Sequence, residues 1–218
     1  MLIDKRPDLP ENFSDFIAEF TEICFLPSQL QKVDVVFAFG TLAEYKLMAD
    51  HLVNLYTSGI CDKFILTGRA PEHIVHVNEG ETEAELSYYS LPEKMRREAN
   101  IILETKSTNS TQNIENSLPY LEPYKNGKIG CVARSWAGRQ MYHFKRFMPE
   151  TESLFMPFDG MRADGMPFTA KDWYQNEDAC KRVWGEIQRV KKYGEAGFMV
   201  YRDDLRQKID NLFSKIKP

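Results

Sequence analysis

The chain predicts an α/β fold of Rossmann-like type, a three-layer sandwich around a mostly parallel sheet of about five strands, with helices added at both ends. Three observations carry that expectation. Short runs recur at VDVVFAFG (33–40), KFILTG (63–68), NIILE (100–104), KIGCVA (128–133) and SLFMPF (153–158), apolar throughout rather than alternating. Such runs suit strands covered on both faces. Between them lie segments with helical apolar spacing, so strand follows strand after about 25 to 35 residues, the rhythm of βαβ units and a parallel sheet. Finally, 218 residues at 43% hydrophobic and 28% charged suffice for a sizeable core without disulfides or metals.

Taken in order, Phe13, Phe16, Ile17, Phe20, Ile23 and Cys24 share one face of a helix over 11–25. After the first strand, residues 42–56 return to helical spacing and stop near Gly59. Residues 69–81 read as a long loop. Thr82 and Glu85 then form a capping box that opens a helix, Pro92 interrupts it, and EKMRREA continues as a second piece. Ser110 or Thr111 opens a helix through Leu121, stopped around Pro123, and another follows the fourth strand through Arg139, Tyr142 and Phe147. From Lys171 the pattern is helical through Trp184, Ile187 and Val190, and a last amphipathic helix covers 203–216. The expected organisation is a single domain over 1–218: a helical extension at 1–32, a core at 33–160 and a helical part at 161–218.

Composition excludes several classes. A net charge of −4 argues against general nucleic-acid binding. No run approaches the ~18–20 apolar residues of a membrane span, and MLIDKRPDLPENF contains no signal-peptide apolar segment, so a cytoplasmic protein is expected. Cys24, Cys61, Cys131 and Cys180 are scattered without a C-x-x-C pair and read as core residues. The chain has no G-x-G-x-x-G, no Walker lysine loop and no G-x-S-x-G elbow. His73 and His76 form H-x-x-H followed by Glu79, Glu81 and Glu83, but the H-E-x-x-H spacing of a helix-borne metal site is missing and no metal is expected.

Open parallel sheets bind ligands outside the carboxyl ends of their strands. Three polar clusters fall there: Gly40-Thr41, Thr67-Gly68-Arg69, and the dense run from Glu104 through Ser107, Thr108, Asn109, Thr111, Asn113, Glu115 and Asn116. Single Ser, Thr or Asn residues here are ordinary caps and turns. A run that adds two acids and further amides exceeds what capping needs and suits a pocket for phosphate or carboxylate. Arg134 and Arg139 follow the fourth strand and are candidate anion ligands. Glu83 and Glu104 are candidate general bases.

The pieces DVVFAFGT (34–41), FILTG (64–68), TEAE (82–85), ILETKSTNSTQNIENS (102–117) and VARSWAGRQM (132–141) stand in an order that resembles the YdcF-like family, the domain of unknown function shared with SanA- and ElyC-type proteins. The segment GEIQRVKKYGEAGF (185–198) is similar to the C-terminal part of soluble YdcF-type members. The resemblance implies a Rossmann-like fold whose pocket is lined by Gly40, Gly68, Glu83, Glu104, Ser107, Thr108, Asn109, Asn113, Glu115, Asn116 and Arg139. It also implies an adenosyl-type ligand such as S-adenosylmethionine, while the family has no firmly assigned reaction. Gly68 is followed by Arg69 where a second glycine is usual. The expected function is a small-molecule-binding protein or enzyme for an anionic or nucleotide-like ligand. The alternatives are an S-adenosylmethionine-dependent transferase or a hydrolase, and a non-catalytic interaction module.

Overall fold

The structure, a computed structural model, describes residues 6–69 and 82–217. Five strands form one parallel sheet: β1 (Val35–Ala38), β2 (Lys63–Thr67), β3 (Asn100–Glu104), β4 (Lys128–Val132) and β5 (Glu152–Phe155), in the order β3-β2-β1-β4-β5. The α/β class and the parallel five-strand sheet stand as expected. Every β1 residue is buried, which is why its sequence is apolar on both faces. The register aligns Ala38 with Leu66 and Val132, and Thr67 with Glu104, so these strands end at one edge. Strand order runs outward from β1 to β3 and then reverses to β4, which puts a topological switch point at β1 and β4.

The chain divides into two compact units: residues 28–133 with 147–158, and residues 1–27 with 134–146 and 159–218. The first is the α/β unit. One face of its sheet offers Val36, Ala38, Phe64, Leu66 and Val132 to α2 (Tyr45–Thr57), α3 (Glu83–Tyr89) and α4 (Glu93–Glu98). Met48, Ala49, Leu52 and Leu55 of α2 recur at helical spacing and are buried there. Gly59 (φ 69°) terminates α2 in the left-handed conformation. Pro92 is the N-cap of α4, so it starts the second helical piece as well as ending the first. α5 (Ser110–Leu121) opens on Asn109, whose side-chain oxygen accepts from Gln112 N at 3.0 Å.

The second unit is mostly helical: α1 (Ile17–Cys24), α6 (Arg139–Phe147), α7 (Glu177–Glu195) and α8 (Asp203–Lys215). Its core is aromatic. Trp173 is fully buried, crosses Phe13 edge-on at 5.9 Å and donates its indole N–H to Thr21 Oγ1 at 2.9 Å. Trp136 stacks on Phe168 at 4.0 Å. The N-terminal extension, residues 134–146 and the C-terminal part thus share one core, a grouping that expected boundaries at 32 and 161 do not contain. A short antiparallel hairpin, β6 (Gly160–Met161) with β7 (Pro167–Phe168), also lies outside the expected pattern. Its turn uses Gly165 at φ 80°, and Arg162 fixes it by donating to both Asp164 oxygens at 3.1 and 3.0 Å. Among the described residues, no helix is long and apolar enough to cross a membrane.

Candidate functional site

The carboxyl ends of β1, β2 and β3 are fastened to one another by short polar contacts. Thr67, fully buried at the end of β2, donates its hydroxyl to Ala38 O at 2.8 Å and accepts from Gly40 N at 3.2 Å. Gly68 follows at φ 115°, a conformation that strains any other residue. Its N–H donates to Glu104 O at 2.9 Å, and its carbonyl accepts from Ala84 N at 3.0 Å. One residue therefore ties β2 to the end of β3 and to the first turn of α3.

That turn carries Glu83. The capping box forms as expected: Thr82 N donates to Glu85 Oε2 at 2.8 Å and Glu85 N to Thr82 Oγ1 at 3.2 Å. With the turn fixed, the Glu83 carboxylate rests against both Gly40 and Gly68, and a Cβ added at either glycine would overlap Glu83 Oε2. A half-buried acid thus sits over two adjacent strand ends, in a space that only glycine leaves open. Thr41 is buried beside this end of β1. So is Glu44, at the N-cap of α2 and 8% exposed, which the sequence reading missed. Its signal was an acid in the short link between strand end and helix, where Ser or Thr is usual.

The dense polar run folds around Glu104, which is 4% exposed. Oε1 accepts from Lys106 N (2.7 Å), Ser107 N (3.0 Å) and Asn116 Nδ2 (3.3 Å), and Oε2 accepts from the Ser107 hydroxyl. Ser107 Oγ in turn accepts from Asn113 Nδ2 at 2.6 Å. Arg69 N donates to Ser107 O at 2.7 Å, which brings the loop to β2. Four donors on one carboxylate make Glu104 the organiser of this loop rather than an open base. Thr108, Asn109, Glu115 and Asn116 are exposed, Thr111 is half-buried, and Asn113 is buried. Thr108 N and Oγ1 both donate to Gln112 Oε1, at 2.8 and 2.9 Å, so Thr108 serves the turn.

The two candidate arginines belong to the helical unit. Arg134 is half-buried, with its guanidinium 5.5 Å from the centre of the Trp136 ring. Arg139 is buried. Its Nε donates to Glu186 Oε2 at 2.9 Å and its Nη1 to His143 Nε2 at 2.9 Å, while Arg189 Nη1 donates to Glu186 Oε1 at 2.8 Å. Burial works to raise the Glu186 carboxyl, but Arg139 and then Arg189 outweigh it and hold its pKa below the ordinary value. Because a guanidinium only donates, His143 Nε2 must accept, so the ring is neutral with its proton on Nδ1. Burial and then the Arg139 charge push the His143 pKa down to about 3. Glu186 therefore engages the guanidinium that the sequence reading assigned to a ligand anion.

Among the described residues, no three His, Cys, Asp or Glu side chains are grouped to hold a metal. His73, His76, Glu79 and Glu81 lie outside the described residues. No protein-family model matches the chain, and no curated protein is a significant match to it.

Proposed function

We propose that the α/β unit binds a small anionic or nucleotide-like ligand over the carboxyl ends of β1, β2 and β3, with Glu83 as the acceptor for a ligand hydroxyl or amine. The observation that carries this reading is the seating of the Glu83 carboxylate against Gly40 and Gly68. It lies at the edge of a parallel sheet where ligands of such folds bind. Arg69 and Lys106 are exposed at the β2 and β3 ends and provide the positive charge for the anionic part, in place of Arg139. Thr108 and Asn109 supply neutral polar groups. The adenosyl class, with S-adenosylmethionine as its test case, is the ligand that the YdcF-like resemblance favours, and the cytoplasm is the proposed location.

Glu83 is also the candidate acid or base for turnover, because its carboxylate rests against the ends of two adjacent strands. Titration calorimetry with S-adenosylmethionine and with adenosine monophosphate tests the proposal. One charge-assisted contact stabilises by about 1.5–3 kcal/mol, so Glu83→Gln lowers affinity on the order of tenfold or more. Unchanged affinity in that variant would refute the acceptor role. Transfer of a labelled methyl group would assign a transferase; binding without transfer would leave a binding protein.

A further inference from the structure

The helical unit contains a cavity of about 330 Å³ formed by α1, the residues after it, α6 and the start of α8. Its apolar lining is Ile23, Leu26, Pro27, Val200 and Leu205. Around these stand four charged residues of balanced sign. Glu22 pairs with Lys208 at 2.5 Å, and Arg202 pairs with Asp204 at 3.3 Å. Both pairs are exposed, so exchanging either for a ligand contact costs little. Tyr142 also lines the cavity. Burial first, then Cys24 and Asp204, raises the pKa of its hydroxyl, which therefore stays protonated. Arg202, at the N-cap of α8, gives no side-chain acceptor to the N–H groups of the first turn.

We infer that this cavity is a binding site for an apolar α-amino acid in its zwitterionic form. The chemistry matches part by part. The ligand carboxylate meets Arg202, Lys208 and the Tyr142 hydroxyl; its ammonium meets Glu22 and Asp204; its side chain fills the space against Ile23, Leu26 and Leu205. The volume falls at the small end of ligand pockets, which suits one amino acid rather than a nucleotide. A plain carboxylate or a plain amine would leave one pair of rim charges unused, so recognition requires both ligand charges. This site is independent of the strand-end site and does not rest on it.

The test is an NMR titration of the labelled full chain with L-leucine, with 4-methylpentanoate, which lacks the ammonium, and with 3-methylbutylamine, which lacks the carboxylate. Leucine is expected to shift Ile23, Tyr142, Val200 and Leu205, and each analogue to bind at least tenfold more weakly. Glu22→Gln and Lys208→Gln, at exposed positions, are expected to weaken leucine about fivefold or more with an unchanged melting temperature. The inference is overturned by no saturable shift at about 10 mM leucine, by an analogue that binds as well as leucine, by normal affinity in both variants, or by shifts confined to Gly40, Gly68 and their neighbours.

Discussion

A carboxylate is kept largely from water in each unit, Glu104 in one and Glu186 in the other, and the two are satisfied in opposite ways. Glu104, in the α/β unit, is surrounded by backbone N–H groups, a hydroxyl and an amide from residues two to twelve positions along the chain. Glu186, in the helical unit, takes a guanidinium on each oxygen, one of them from a residue 47 positions away. Neutral dipoles hold a carboxylate by local chain geometry and make a loop rigid. Cations hold it by Coulomb attraction across the core, and every partner is then committed. The difference teaches where a ligand charge fits. A loop braced by neutral donors holds its carboxylate without spending a cation on it, whereas an ion-paired cluster uses up its own.

The largest expected effect separates the two carboxylates directly. Glu186→Ala leaves Arg139 and Arg189 without their carboxylate partner and is expected to destabilise by about 3–5 kcal/mol in denaturant unfolding. Arg139→Met combined with Glu186→Leu should cost clearly less than the sum of the single changes, because the removed charges compensate each other. Additive costs would mean that the pair is not coupled.

A second expectation concerns pH. His143 has a folded pKa of about 3 against an ordinary 6.5, so below pH 6.5 the unfolded chain takes up a proton that the folded chain refuses. Stability therefore falls as pH drops from about 6.5 toward 3, by about 2 kcal/mol at pH 5. The slope should be missing in His143→Gln between pH 6.5 and about 5, above the range where Glu186, whose carboxyl is also held below its ordinary pKa, starts to lose stability in its turn. A wild-type slope persisting in the variant would place the pH dependence elsewhere.

Smaller effects belong to the α/β unit. Glu104→Gln puts an amide where donors converge and should cost about 1–3 kcal/mol, with faster hydrogen exchange at Lys106 and Ser107. Gly68→Ala adds about 1–3 kcal/mol of backbone strain and pushes Glu83 aside, so ligand affinity should fall more than stability does. The mildest change is Thr67→Val, which keeps shape but removes the hydroxyl between Ala38 and Gly40, at about 1 kcal/mol.

The same contrast explains what was legible from residue order. The five strands could be read because burial on both faces writes a continuous apolar run. The capping box at Thr82 and Glu85 involves partners three residues apart, within reach of local reasoning, whereas the helix expected to open on Ser110 or Thr111 takes Asn109 as its N-cap. The run holding Ser107 and Asn113 stood out by its polarity, but its closure into a hydrogen-bonded cluster with Glu104 as hub depends on distances that no spacing encodes. Arg139 was read toward a ligand because its partner lies a full helix away in the chain, on α7. The β6–β7 hairpin was missed because two-residue strands carry no periodicity; only the Asp164-Gly165 turn signal marked it. Glu44 escaped because its one signal, an acid at an N-cap position, does not reveal that the side chain is buried.

Gly68 has a consequence for the order of events in folding. Its N–H and carbonyl join segments centred on residues 68, 84 and 104, and Glu83 reaches back to Gly40. During synthesis the strand-end site cannot assemble until the chain has been made past Glu104, because the N–H of Gly68 has no carbonyl to meet before then. The loop from 104 to 116 closes over a few residues and so pays little chain entropy once β3 is in place. The three strand ends should therefore become joined in one step, with the docking of β3 against β2.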